Sequence, residues 1–455
     1  MTLQELLSYH ERPLVMAIIN ATPDSFSGDG LLTTNHNVIT KLVREKLCSG
    51  MDIIDIGGES TRPGATPISI DEEIKRLSPF VKTIRYHFPS LLISIDTQKP
   101  SVAQAMLKLG ANIINDVAFG RDKKRDQTML AVLKKYQKNL TAYIVMHNTA
   151  SPALLEKNYQ LGHSYHAANN KMLITDIENF FSTSLKTISQ SGIAKEKIIL
   201  DVGFGFGKSI ADSLKLINHL KRYRVFDAPL LVGVSRKSFV GKLLGRTIKQ
   251  RLIASSAIET LAIQQGVDII RVHDVAPAFD VVRVMAAIKQ KKCPDYILSF
   301  GSNMGDKKKN IRHAIFLLNK IGKVKKISPL YQTAPQYNQQ QADFLNGILI
   351  FHTNHEPLSL LSELKKIEKK LGRVDSKQRH QPRPIDLDII AYGEQVLLSK
   401  QLTIPHKLAF ERAFVLQPLL DIKPWFVFRN VGCYGRDLLP EVLKTQKIKK
   451  ISDAI

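Results

Sequence analysis

Eight short apolar runs, all but one closed by a polar residue, limit what the first two-thirds of this chain can become. They are LVMAIIN (14–20), DIIDIGG (52–58), LLISID (91–96), ANIIND (111–116), TAYIVMH (141–147), KIILD (197–201), PLLVGVS (229–235) and VDIIRVH (267–273). They are near-continuous in Val, Ile and Leu rather than alternating, the pattern of parallel strands buried on both faces. Amphipathic helix-length segments separate them, such as NVITKLVREKLCSG and SVAQAMLKLG, each stopped by a glycine. Eight such units predict an α/β fold, an N-terminal (β/α)8 TIM barrel. An open doubly wound sheet would carry Gly-x-Gly-x-x-Gly after its first strand, and none is present.

The rhythm breaks at KQKKCPDY (289–296), which reads as a linker between domains at 1–290 and 291–455. Beyond it the spacing predicts a strand at YILSFGS, a helix over 307–321, strands over 324–333 and 345–352, a helix over 357–371 and a strand from Ile385. That βαββαβ order predicts an α+β ferredoxin-like domain.

At 455 residues and 44% hydrophobic content, a packed protein of two or three domains is expected. The three cysteines, Cys48, Cys293 and Cys433, are far apart and in no metal-ligand spacing, which suits a reducing compartment. The first residues lack the apolar core of a signal peptide, and no run is long enough to span a membrane. A cytoplasmic protein without a membrane partner is expected. The net charge is +24, from 65 basic and 41 acidic side chains. The lysines are scattered and not interleaved with aromatics, so no nucleic-acid partner is expected.

A barrel carries its active site at the C-terminal ends of its strands. The residues there are Asn20, Glu59 with Thr61 and Arg62, Asp96, Asn115, His147, Asp201, Lys237, and Arg271 with His273. One polar strand end is ordinary turn chemistry; a ring of them is what a polar substrate needs. After the sixth strand, DVGFGFGKS (201–209) ends like a phosphate-binding loop. A P-loop requires its first glycine at 202, where Val202 stands. Asp201 is then the chemically important member, and Lys208 is read as an incidental surface cation or a loop anchor.

The strings INATPDSFSGDG (19–30), DIGGESTRPGA (55–65), SIDT (94–97), IIND (113–116), DVGFGFGKS, VGVSRKSFVG (232–241) and RVHDV (271–275) resemble dihydropteroate synthase over the whole first domain. The resemblance implies condensation of 6-hydroxymethyl-7,8-dihydropterin diphosphate with p-aminobenzoate. It assigns Asp96, Asn115, Asp201 and Lys237 to the pterin edge, with Met146 and Phe206 as apolar walls. Asn20 matches a Mg²⁺ ligand. Thr61, Arg62, Ser238, Arg271 and His273 fall to diphosphate and p-aminobenzoate, and Arg62 and Lys237 count as catalytic. A homodimer through the barrel is also implied. Two departures, Val202 and the order SGDG in the first loop, affect loop shape rather than functional side chains.

SFGSNMGD (299–306), YQTAP (331–335), DFLNG (343–347), IEKKLGR (367–373), PRPIDLDI (382–389), LTIPH (402–406) and ERAFVLQPL (411–419) resemble 6-hydroxymethyl-7,8-dihydropterin pyrophosphokinase. Asp386 and Asp388 are two apart on an expected strand, so both carboxylates face one side, as a Mg²⁺–nucleotide requires. The resemblance implies ATP as substrate and two Mg²⁺. It assigns Thr333, Pro335, Asn346 and Phe414 to the pterin and Glu368, Arg373, Arg383, Thr403, His406 and Arg412 to ATP. Asp386, Asp388, Arg373 and Arg383 would be catalytic. Asp375, His380, Gln381, Gln401 and Lys407 depart from the family pattern, which leaves open an alternative in which only the synthase half is active.

Overall fold

The computed structural model describes residues 2–23, 30–59, 67–148, 172–290, 293–335, 340–374 and 381–452. The chain divides into two compact units, Met1–Lys289 and Gln290–Ile455.

In the first unit, β1 (Leu14–Asn20), β2 (Ile53–Gly57), β3 (Leu92–Asp96), β4 (Ile113–Asp116), β5 (Ala142–Met146), β6 (Ile198–Asp201), β7 (Leu230–Val232) and β8 (Ile269–Val272) close a parallel barrel in chain order. All eight apolar runs are therefore barrel strands. The outer helices among the described residues are α2 (His36–Cys48), α3 (Ile70–His87), α4 (Pro100–Leu109), α5 (Lys123–Lys135), α6 (Leu173–Gln190), α7 (Ile210–His219), α8 (Ser238–Leu244), α9 (Leu252–Gln264) and α10 (Val275–Gln290). Before them comes a helix the strand pattern does not announce, α1 (Leu3–His10), started by a Thr2–Glu5 capping box. Its Leu3 and Leu6 pack with Leu14, Met16, Ile53, Leu92, Ile113, Ile199, Leu231 and Ile269, near the N-terminal ends of the strands. It closes the mouth opposite the expected site. A buried fork from Arg12 to Asp52, at 2.7 and 2.9 Å, fixes the chain where it enters β1.

The second unit runs β9 (Tyr296–Ser302), α11 (Lys307–Leu318), β10 (Lys323–Ile327), β11 (Leu330–Thr333), β12 (Phe344–His352), α12 (Pro357–Lys370) and β13 (Asp386–Tyr392). The sheet order β13-β9-β12-β11 is what the βαββαβ reading requires. The expected single strand over 324–333 is instead two, both antiparallel to β12. Pro329 has no N–H for the ladder. At this break the Ser328 hydroxyl enters the sheet, accepting from the Ile348 N–H at 2.9 Å.

Both faces of this sheet are covered. Tyr296, Leu298 and Phe300 share a core with α11 and α12, while the intervening Ile297 joins Ile348, Ile350 and Ile390 in a second core. The chain beyond β13 supplies most of the rest of that second core, including Ala409, Val415, Leu416, Leu419, Ile422, Phe426 and Phe428. It forms the pair β14 (Leu397–Leu398) and β15 (Thr403–Ile404), then α13 (Ala413–Ile422), then the pair β16 (Val427–Phe428) and β17 (Cys433–Tyr434). It continues through α14 (Gly435–Leu443) to β18 (Ile448–Ser452), which adds an edge strand beside β11. Among the described residues, no helix is long and apolar enough to cross a membrane.

Candidate active sites

Strand register brings the polar ends of the barrel to one level. Asn20 pairs with Gly57, Gly57 with Asp96, and Asp96 with Asn115, while Met146 pairs with Asp201. Arg271 reaches across this end. Its Nε donates to Asp55 Oδ2 and its Nη2 to Asp96 Oδ2, both at 2.7 Å. Asn115 Nδ2 donates to the same Asp55 oxygen at 3.1 Å. Four strands thus meet in one buried network. Asp55 is fully buried and absent from the residues picked out by sequence. The available signal was a carboxylate in the middle of an apolar strand, where it can only face the barrel interior with a cation.

This network has spare acceptors. Asp55 Oδ1 and Asp96 Oδ1 are buried and make no hydrogen bond. Burial pushes the Asp96 carboxyl up to about 7, against the pull of Arg271, with Asp55 and Glu73 adding to the rise. Burial also raises Asp201, although the Gly203 N–H donates to it at 2.8 Å and Lys237 favours its charge. Lys237 is brought down to about 8, first by burial and then by Arg271. Its ammonium lies 4.5 Å from the centre of the Phe206 ring. The result is a buried floor on which Asp96, with its carboxyl near 7, and Asp201, raised by burial, lie beside two cations. Such a floor suits a flat heterocycle whose edge alternates donors and acceptors.

The Asp96 shift has a measurable consequence. Folded Asp96 holds its proton up to about pH 7, whereas the unfolded chain loses it near 3.8. Its contribution to stability is complete below the unfolded value and is lost as pH rises through about 4 to 7. The Asp96→Asn variant, which stays neutral, should therefore gain on the wild type across that window in calorimetric melting. A stability difference independent of pH would contradict the assignment.

The glycine-rich loop is built around Lys208, and the surface-cation reading is corrected here. Lys208 is 9% exposed. It donates to the carbonyl oxygens of Gly203 (2.9 Å), His147 (3.2 Å) and Phe206 (3.3 Å). Three carbonyls match the three N–H bonds of an ammonium, so Lys208 anchors the loop to the end of β5. Gly203 has φ +66°, and a Cβ there would lie 2.0 Å from the His147 oxygen, so only glycine fits. Ser209 caps α7 through a reciprocal box with Asp212. Lys208 and Ser209 of the GKS ending thus both have structural tasks. His147 is a core histidine: burial, then Lys208, take it down to about 3, and it packs edge-on to Phe180.

Other expected residues fall as follows. Met146 is buried at the end of β5. His273 meets the Ser235 hydroxyl through its backbone N–H (3.2 Å) and Nδ1 (3.3 Å). Ser238 opens α8, and Lys237 precedes it. Arg236 holds φ +55° and is ion-paired to Asp274, so the turn that presents Lys237 is strained but pinned. Glu59 accepts from Lys99 Nζ (3.0 Å) and the Ile68 N–H (2.9 Å). Thr61 and Arg62 lie outside the described residues.

In the second unit, Asp386 and Asp388 face one side of β13, opposite Gly301 and Ser299 of β9. Asp386 accepts from Arg373 (2.5 Å) and Arg383 (2.8 Å). Burial opposes its charge, but Arg383 and Arg373 outweigh that and hold its carboxyl below the usual range. Asp388 is pushed up, first by burial and then by the charge of Asp386. A divalent cation beside the pair would relieve that repulsion, and an all-oxygen donor set suits Mg²⁺. Glu368, expected on the nucleotide side, is instead 1% exposed. It accepts from the Leu387 N–H at 2.8 Å and pairs with Arg373 at 2.7 Å, so it orients that arginine from beneath.

His406 is lowered by burial, with Asp388 pulling the other way. Its Nδ1 accepts from the Leu408 N–H at 3.3 Å, which leaves Nε2–H as a donor. Thr403 lies on β15. On the other side, Asn346 Nδ2 donates to Thr333 Oγ1 at 2.8 Å, with both residues buried. A cavity of about 510 Å³ is lined by Thr333, Pro335, Arg412 and Phe414, among others. The Arg412 guanidinium lies 5.6 Å from the Phe414 ring centre. Gln401 and Lys407 are exposed; Asp375 and His380 lie outside the described residues.

Residues 16–273 match the family described as "Pterin binding enzyme", and residues 297–424 match "7,8-dihydro-6-hydroxymethylpterin-pyrophosphokinase". The Escherichia coli dihydropteroate synthase is 37% identical over 283 residues, covering 62% of this chain and 93% of that one. A Yersinia pestis dihydropteroate synthase solved with a sulfonamide drug complex aligns with a TM-score of 0.55 at 38% identity, covering 62% of this chain and 96% of that one. A Xanthomonas albilineans dihydropteroate synthase solved with 4-aminobenzoic acid gives 0.51 at 35%, covering 61% and 93%. The chain belongs to the pterin-binding enzyme family, with a pyrophosphokinase unit following its barrel. It is a bifunctional folate-biosynthesis enzyme of the dihydropteroate synthase and hydroxymethyldihydropterin pyrophosphokinase type.

Proposed function

We propose that the second unit transfers the terminal diphosphoryl group of ATP to 6-hydroxymethyl-7,8-dihydropterin, releasing AMP. The barrel then joins the pterin diphosphate to p-aminobenzoate, giving 7,8-dihydropteroate and diphosphate. The observation that carries this reading is Arg271. It lies against Asp55 and Asp96 beside Lys237, so that pterin acceptors and diphosphate-binding cations share one floor.

In the second unit, Thr333 and Asn346 bind the pterin edge, with Phe414 stacking on its face and Pro335 at its rim. Arg373, Arg383, Arg412, Thr403 and the His406 Nε2–H bind the phosphates. Asp386 and Asp388 would hold two Mg²⁺, which when bound neutralise phosphate charge. The pterin hydroxymethyl oxygen attacks the β-phosphorus, its proton is lost and AMP departs. Positioning and charge supply the acceleration, and no protein nucleophile is needed.

In the barrel, Asp96, Asn115 and Asp201 accept from and donate to the pterin edge. Lys237 donates to its carbonyl and ring nitrogen, between Phe206 and Met146. Arg271 and His273 take the leaving diphosphate, and Asn20 would contribute to one Mg²⁺. Thr61, Arg62 and Ser238 complete the p-aminobenzoate side. The methylene–oxygen bond breaks, the aromatic amine captures the methylene carbon, and the amine proton is released. The free thiols at Cys48, Cys293 and Cys433 support a cytoplasmic setting.

The test is product analysis. Purified protein supplied with the pterin alcohol, ATP, Mg²⁺ and p-aminobenzoate should form AMP, diphosphate and dihydropteroate in equal amounts. ADP as the sole nucleotide product would refute the pyrophosphokinase half.

A further inference from the structure

The pyrophosphokinase match ends at residue 424, yet the cavity of that unit does not. Thr445, Gln446, Lys447 and Ile448 line it together with Thr333, Pro335, Arg412 and Phe414. Two connections hold this C-terminal segment in place. In one, β18 pairs antiparallel with the strand that carries Thr333, with Thr333 opposite Ile448 and Gln332 opposite Lys449. The other is the Gln446 side chain. Its Oε1 accepts from the Ala413 N–H at 2.9 Å, and its Nε2 donates to the Glu411 carbonyl at 2.7 Å.

These two backbone groups flank Arg412. Ala413 is the first residue of α13 and Phe414 the second, so the Ala413 N–H is one of the helix donors that lack an intrahelical partner. Arg412 itself, at the N-cap position, provides no side-chain cap. One primary amide therefore caps the helix that carries the aromatic plate and, with its other end, holds the turn that leads into Arg412. Only a side chain with both a donor and an acceptor at this reach can do both.

We propose that Gln446 is a positioning residue of the pyrophosphokinase site, clamping residues 411–413 so that Arg412 and Phe414 face the pterin pocket, and that the 445–448 segment is a wall of that pocket. The inference rests on the proposed pyrophosphokinase reading. A wall that must be ordered on binding costs affinity, and a clamp that orders it beforehand removes that cost.

The test uses the full chain, whose synthase activity reports on the barrel unit alone. Gln446→Ala should raise the KM for the pterin alcohol, and through Arg412 that for ATP, by up to about tenfold, change kcat far less, and leave the synthase rate on pterin diphosphate unaltered. Gln446→Glu keeps the acceptor for Ala413 but loses the donor to Glu411, and should fall between Gln446→Ala and wild type. Unchanged pyrophosphokinase constants in Gln446→Ala would overturn the proposal while the proposed function stood. Equal loss of both activities would also overturn it, by showing a general fold defect. A wild-type chain that forms no AMP would remove the reading and the proposal together.

Discussion

Replacing Asp386 with alanine should cut AMP formation by at least about 10²–10³-fold and leave the barrel's condensation of pterin diphosphate with p-aminobenzoate untouched. Two effects combine. The variant removes one of the paired carboxylates that would hold Mg²⁺. It also releases Arg373 and Arg383, which Asp386 holds at 2.5 and 2.8 Å. Arg373 keeps its contact with buried Glu368, so the arginine should shift rather than leave. The loss should therefore fall mainly on kcat, through phosphate positioning. Lys208→Ala offers the contrasting case. It removes the loop anchor of the barrel, so synthase activity should fall while AMP formation continues, the reverse of what a P-loop at GFGKS would require. Steady AMP formation in the Asp386→Ala chain would contradict the assignment.

Arg271→Met should be the most damaging single change in the barrel. Arg271 is the cation shared by Asp55 and Asp96, which come from two different strands. Its removal leaves two carboxylates facing each other in a buried site. Breaking a buried pair from one side costs about 3–5 kcal/mol. Burial and Asp55 already push Asp96 up to about 7; without the guanidinium it should rise further and protonate. Synthase activity should be lost, because the variant removes the diphosphate cation together with the ionic state of the pterin floor. Arg271→Lys would restore the charge but not the fork to two acceptors, so its rescue should be partial. Denaturant melting of the variant gives the stability term. An unchanged midpoint would mean that the network contributes nothing to folding.

How much the sequence reveals depends on the range of the interactions. The barrel strands are legible because double-sided burial writes continuous Val, Ile and Leu into short stretches. Asp386 and Asp388 are legible because a two-residue spacing fixes their common face. Asp55 is harder to see, since its meaning depends on Arg271 and Asn115, 216 and 60 residues away in the chain. Lys208 illustrates the same limit from the other side. A lysine next to a glycine-rich turn reads as exposed until the carbonyls of Gly203, His147 and Phe206 are seen to converge on it. The C-terminal region is the least legible. The strand β18 is only five residues long, and IKKIS carries no signal that it will pair with β11. Its charge pattern suggests a solvated tail, and only the sheet edge explains it.

The central claim is that one chain holds two separate sites acting in sequence on one pterin. It is tested most directly by mixing the Asp386→Ala and Arg271→Met proteins with the pterin alcohol, ATP, Mg²⁺ and p-aminobenzoate. Each variant alone should yield no dihydropteroate, Asp386→Ala for want of pterin diphosphate and Arg271→Met with AMP and pterin diphosphate accumulating. The mixture should form dihydropteroate as the diphosphate passes from one protein to the other. A mixture that stayed inactive while the Arg271→Met protein produced AMP and pterin diphosphate would contradict two independent sites, as would dihydropteroate from either variant alone.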